Sequence, residues 1–179
     1  MESNHIQEVL DKAKQAFQQG EFKSAIKGFE TAQEFFQKEN DLLNAAEMAN
    51  NLSVALLQIG KKKQALEAVR GTADLFESHD DPKRQALALG NEAAALEALK
   101  HYDAAVPLYE KSGQILKEIG ENELAAHVLK SLSLMQVRKG KQIEGILAMH
   151  QSLNAEEKLT LWQRFYRWLL EIPFKLSGR

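Results

Sequence analysis

Apolar side chains recur at helical intervals along most of this chain, as in Ala49, Leu52, Leu56 and Leu57 or Leu89, Ala93, Leu96 and Leu99. No segment shows the apolar–polar alternation of a strand, so the pattern predicts an all-α protein. The pattern also repeats. Gly20, Gly60, Lys100 and Gly140 stand 40 residues apart, and other positions follow the same period. Seven residues before each lie the small residues Ala13, Ser53, Ala93 and Ser133. Five after come Ala25, Ala65, Ala105 and Gly145, then the apolar series Ile26, Leu66, Val106 and Ile146. Further on stand the bulky set Phe29, Val69, Tyr109 and Met149 and the small set Ala32, Thr72, Ser112 and Ser152. Two antiparallel helices approach to about 8 Å only where side chains are small, with larger ones filling the grooves on either side. Each unit then exposes an apolar face that only a neighbour can cover, which predicts a right-handed α-solenoid of about four helical hairpins.

Unit junctions read Asn40-Asp41, His79-Asp80-Asp81-Pro82 and Gly120-Glu121-Asn122, combining helix stops with N-terminal starts. Pro82 suits a first helical turn, where its missing N–H is not needed. The solenoid is expected over 1–154, with units at about 4–40, 41–80, 81–120 and 121–154, followed by an amphipathic helix and tail over 155–179. A fifth unit would need a small helix former 40 residues after Ser133, and that position is Pro173.

These units resemble the tetratricopeptide repeat family. Gly20-Glu21-Phe22-Lys23-Ser24-Ala25 carries the family's Gly-x-aromatic-x-x-Ala turn in full, and Lys100-His101-Tyr102-Asp103-Ala104-Ala105 lacks only the glycine. Lys62 and Gln142 replace the aromatic in the other two turns, and the proline near the unit end is missing. The 40-residue period exceeds the family's common 34 and is similar to the longer-helix type of kinesin light chains. The resemblance covers roughly residues 4–154 and implies a protein-interaction scaffold whose first helices line a concave groove.

Composition narrows the function classes. The chain has 179 residues, 44% of them hydrophobic and 27% charged, with a formal net charge of -2. No basic field favours nucleic acid. The absence of cysteine excludes disulfides, cysteine-type zinc sites and thiol catalysis, and is compatible with a cytoplasmic setting. The start, Met-Glu-Ser-Asn-His, lacks the pattern of a secretory signal, and no run approaches a membrane span.

Charge is nevertheless uneven. Residues 159–179 hold Arg164, Arg167, Lys175 and Arg179 against Glu171 alone, a net +3 that leaves -5 on residues 1–158. Both tryptophans, Trp162 and Trp168, lie here with Phe165, Tyr166 and Phe174. Asn154-Ala155-Glu156-Glu157 has the form of a capping box, and Pro173 ends the predicted helix near Ile172. Its apolar residues span roughly 200° of a helical wheel. Three uses fit such a sector: an end cap for the solenoid, an interfacial helix on a membrane surface, and self-association into a homo-oligomer. Trp162, Phe165, Trp168 and Phe174 are the candidate membrane or partner contacts.

What the resemblance implies for binding can be placed on residues. Asn51 and Asn91, 40 apart, occupy positions where family members use asparagine to hold a peptide backbone, and an amide suits this role because it both donates and accepts. Asp11 and Ser131 replace it in the outer units, and local capping is the competing role for each asparagine. Around them the expected groove presents Glu47, Asn50, Val54 and Gln58, then Leu87, Gly90, Ala94, Glu97 and Ala98, then His127, Lys130, Leu134 and Arg138. Gly90, Ala94 and Ala98 leave room for a ligand side chain, and Lys130 and Arg138 favour an acidic segment. The carboxylate clamp of the chaperone-binding members is not matched beyond Asn51.

No catalytic, metal or cofactor constellation is found. His5, His79, His101, His127 and His150 stand singly, and Lys61-Lys62-Lys63 lacks the glycines of a phosphate loop. The expected function is therefore a non-enzymatic adaptor that binds a protein or peptide, needs no cofactor and does not bind nucleic acid. A peptide- or ligand-sensing regulatory module, tethered to a membrane surface by the last helix, is the alternative.

Overall fold

The computed structural model describes residues 2–140 and 142–155, and every regular element among them is helical. Four helices begin at a 40-residue spacing: α1 (Glu2–Gln18), α3 (Leu42–Gln58), α6 (Pro82–Ala98) and α8 (Asn122–Arg138). The intervening helices are α2 (Phe22–Lys38), α4 (Lys62–Val69) with α5 (Thr72–Glu77), α7 (Tyr102–Glu118) and α9 (Gln142–Ala155). The predicted terminal helix, with Trp162, Phe165, Trp168 and Phe174, lies outside the described residues.

The turns follow a finer rhythm than the hairpin period. Gly20, Asn40, Gly60, Asp80, Lys100, Gly120 and Gly140 all have left-handed φ, between 52° and 81°. At the first six of these, the next residue's N–H reaches back five positions, as from Glu21 to Ala16 (2.8 Å), Asp41 to Phe36 (2.8 Å) and His101 to Leu96 (2.9 Å). This is the Schellman closure, which satisfies the last carbonyls of a helix and reverses the chain. Asn and Asp tolerate that conformation through local hydrogen bonding, but Lys100 (φ 65°) carries a Cβ into it with no such help. Lys100→Gly is expected to raise stability by about 1 kcal/mol, read as a higher urea midpoint at an unchanged slope.

The chain forms two compact units, Met1–His101 and a second from Tyr102 onward, so the helices of the third repeat fall in different units. In the first, α2 packs on α1 and α3, and α4 and α5 pack on α3 and α6. Leu10, Ala13, Ile26, Phe29, Leu52, Leu56 and Leu66 are among the core residues that these contacts bury. Each of the large ones contributes about 1.5–3 kcal/mol in removed apolar surface. In the second unit α8 packs against both α7 and α9.

Small residues sit where the period placed them. Ala13, Ser53, Ala93 and Ser133 are buried, as are Ala25, Ala65 and Ala105. Ser133 Oγ donates to the Gly145 carbonyl (2.6 Å) and Ser152 Oγ to that of Ala126 (2.8 Å), so α8 and α9 are joined by hydroxyls as well as by close approach.

One element departs from the simple hairpin. The second helix of repeat two is interrupted at Arg70-Gly71, where Gly71 adopts φ 80° and begins a new short helix. The expected continuous helix from Lys62 is therefore α4 and α5. Thr72 seals the break by donating its hydroxyl to the Val69 carbonyl (2.7 Å), and Asn50 of α3 donates to the same hydroxyl (3.0 Å).

Candidate protein-binding groove

Two open clefts meet along α3 in the first unit. The first, of about 230 Å³, is lined by Lys14, Phe17 and Gln18 of α1, Phe29 of α2, and Asn51 and Val54 of α3. The second, of about 300 Å³, is lined by Glu47, Asn50 and Asn51 of α3, Phe76 of α5, and Arg84, Leu87 and Asn91 of α6. Asn51 borders both. A separate cleft of about 360 Å³, among His5, Ile6, Thr31, Glu34, Phe35, Lys38 and Glu39, contains none of the residues expected in the groove.

The three asparagines do different things. Asn91 Nδ2 donates to Asn50 Oδ1 (3.2 Å), while Asn50 Nδ2 donates to the Ala46 carbonyl (2.9 Å) and to Thr72 (3.0 Å). Asn50, expected on the groove surface, is thus mainly buried and holds α3 to the α4–α5 break. Asn91 is partly committed to that network and keeps its oxygen as an acceptor. Asn51 makes no side-chain hydrogen bond to another described residue, and its half-buried amide stands between the clefts.

A charged clamp fixes the wall of the second cleft. Asp81 caps α6 by accepting from the Arg84 N–H (2.9 Å) and again from Arg84 Nε (2.6 Å). Arg84 reaches Glu47 of α3 through Nη1 (3.3 Å), and its guanidinium lies over the Phe76 ring at 5.0 Å from the centroid. Burial pushes the Asp81 carboxyl upward, but the Arg84 N–H and guanidinium outweigh this and hold it below its ordinary value. The Arg84 charge is therefore neutralised within the protein, and this cleft suits an uncharged or apolar group. Partly exposed ion pairs of this kind contribute at most about 1 kcal/mol each, so the clamp's main effect is to orient α6 against α3.

Of the remaining expected groove residues, Gln58, Gly90, Ala94, Glu97 and Ala98 line neither cleft, and all are half-buried except for exposed Gln58. His127, Lys130, Leu134 and Arg138 belong to α8 of the second unit, where all are exposed. Sequence reasoning missed Lys14, Phe17, Phe76 and Arg84 as lining residues. Phe76 and Phe36 are themselves 40 apart, a bulky series that extends to Leu116 and could have flagged Phe76. Arg84, three residues after a capping Asp, gave a weaker local signal.

Among the described residues there is no group of three or more His, Cys, Asp or Glu side chains that could hold a metal ion, and no helix is long and apolar enough to cross a membrane. Helical hairpins at a 40-residue period, with an open tract of amides and apolar side chains along their first helices, define a helical-repeat protein of the protein-binding class. The chain belongs to the soluble NSF attachment protein (SNAP) family, whose family model matches residues 1–138. That family is an α-solenoid of tetratricopeptide-like type, made up of non-enzymatic protein-interaction adaptors, and the match does not single out the kinesin light chain kind of repeat. The match ends with the last residue of α8. No curated protein matches the chain.

Proposed function

We propose that this protein is an attachment adaptor that holds an extended or helical segment of a partner protein along the tract formed by α1, α3 and α6. The family's name describes attachment to NSF, and its members serve as adaptors for SNARE complexes; a role of that kind, in bringing a protein assembly to a second component, is the reading carried to this chain. One observation supports the groove above all. Asn51 offers an uncommitted donor and acceptor between the two clefts, and the other polar groups of the second cleft are largely satisfied internally.

In this reading, Phe17, Phe29 and Val54 receive an apolar anchor from the partner, Asn51 bonds its backbone, and Leu87 packs beside it. Lys130 and Arg138 of α8 serve acidic positions elsewhere in the partner. Short random peptides selected on the immobilised protein supply the test. Asn51→Ala is expected to weaken a selected peptide by about tenfold in calorimetry, since loss of one such group costs about 1–3 kcal/mol. Selected peptides that bind Asn51→Ala and Val54→Glu as tightly as the folded parent would place the site elsewhere.

A further inference from the structure

The last described hairpin has an uncovered stripe that the earlier repeats do not. Ile26 of α2 and Leu66 of α4 occupy equivalent positions, and each is only 8% exposed because the first helix of the following repeat, α3 or α6, packs on its helix. Val106 of α7, before α8, is half-buried. Ile146 of α9 is 43% exposed. Three residues on, Met149 is half-exposed, although its equivalents Phe29, Val69 and Tyr109 are all buried. Leu147 beside them is exposed as well. Positions i and i+3 lie on one helix face, so Ile146 and Met149 form a single apolar stripe.

Its physical meaning follows from the repeat. The stripe is where the first helix of a next unit would lie, and the chain continues from α9 with Leu159, Leu161, Trp162, Phe165, Trp168 and Leu169. Residues 156–172 carry no net charge, with Glu156, Glu157 and Glu171 against Lys158, Arg164 and Arg167, so no net repulsion opposes their return to the body. It is also tethered directly to the helix that bears the stripe. A short tether gives an effective concentration of the order of millimolar, far above that of a second copy in dilute solution. We propose that residues 156–172 dock within the same chain on the Ile146–Met149 stripe, in place of a fifth repeat's first helix, and that neither lipid nor a second copy is the resting occupant of that stripe. The proposal is independent of the groove assigned to α1, α3 and α6.

Both tryptophans of the protein lie in this segment, so selectively excited tryptophan fluorescence reports on it alone. In the full-length protein, the emission is expected to be blue-shifted, shielded from acrylamide, and insensitive to dilution or to phosphatidylcholine–phosphatidylserine vesicles. Ile146→Glu combined with Met149→Glu is expected to red-shift it and at least double the acrylamide quenching constant, with helicity of the remainder retained. Emission unchanged by the double variant would overturn the proposal. So would tryptophans that are shielded only when vesicles are added, which would assign the segment to lipid, or only at high protein concentration, which would assign it to a second copy. Because the chain has no cysteine, Met149→Cys can be paired in turn with Leu161→Cys, Phe165→Cys and Leu169→Cys. At least one pair is expected to form a disulfide within a monomer under mild oxidation, and failure of all three would overturn the proposal even if the glutamate variant did not fold.

Discussion

Phe76→Ala is expected to destabilise the first unit by about 3–5 kcal/mol, the range for truncating a large buried aromatic. Phe76 is 1% exposed, so almost none of the loss is recovered by hydration of the new surface. The Arg84 guanidinium loses the ring over which it lies, a further contribution of about 0.5–1 kcal/mol for a partly exposed cation–π pair. Functional damage accompanies the instability, because the Phe76 side chain forms part of the second cleft. Chemical denaturation followed by circular dichroism measures the effect, and a loss below about 1 kcal/mol, the size of an ordinary surface substitution, would show that Phe76 is not the packing centre of α5 against α6. Phe76→Leu is expected to cost far less, since it keeps most of the volume.

Gly145→Ala is expected to destabilise the second unit by about 1–2 kcal/mol, although alanine is the better helix former by about 0.5–1 kcal/mol. A Cβ at Gly145 would lie 2.5 Å from Val137 Cγ2 and 3.2 Å from both the Ser133 carbonyl oxygen and the Val137 backbone nitrogen. Two of these neighbours are backbone and cannot rotate away, so α9 must move off α8 and strain the 2.6 Å bond from Ser133 to the Gly145 carbonyl. Gly113→Ala in α7 is the internal contrast. Its Cβ would meet only the Leu129 side chain, at 2.9 Å from Cδ2 and 3.0 Å from Cγ, with no backbone atom in the way, so a smaller loss is expected. Equal urea midpoints for the two variants would show that the α8–α9 crossing is looser than its geometry requires.

The groove was legible in part, and the asparagines show why. The 40-residue spacing identifies Asn51 and Asn91 as equivalent, and both line the second cleft. It does not reveal that Asn91 is tied to Asn50, because that bond depends on the distance between α3 and α6 and on the amide orientation that Thr72 imposes on Asn50. Likewise, Arg84 reads in sequence as a solvated cation, yet its charge is offset by Asp81 and by Glu47, 37 residues earlier in the chain. Gly71 is one glycine among several in the sequence. Its interruption of the second repeat's outer helix became visible only with its φ and with the hydroxyl of Thr72 turned to Val69.

By itself, the sequence determined the helical content, the 40-residue period, the buried small residues and the turn at each Gly20-equivalent position, because each of these depends on side-chain size and backbone freedom at a single position or within one helical turn. Only the tertiary structure decided which amide is free, which charges cancel, where the chain divides into compact units and that Ile146 lacks the cover enjoyed by Ile26 and Leu66. Those properties belong to pairs of residues brought together from different helices. A local pattern specifies that such faces exist, but the distance between them is set by the packing of the helices that carry them.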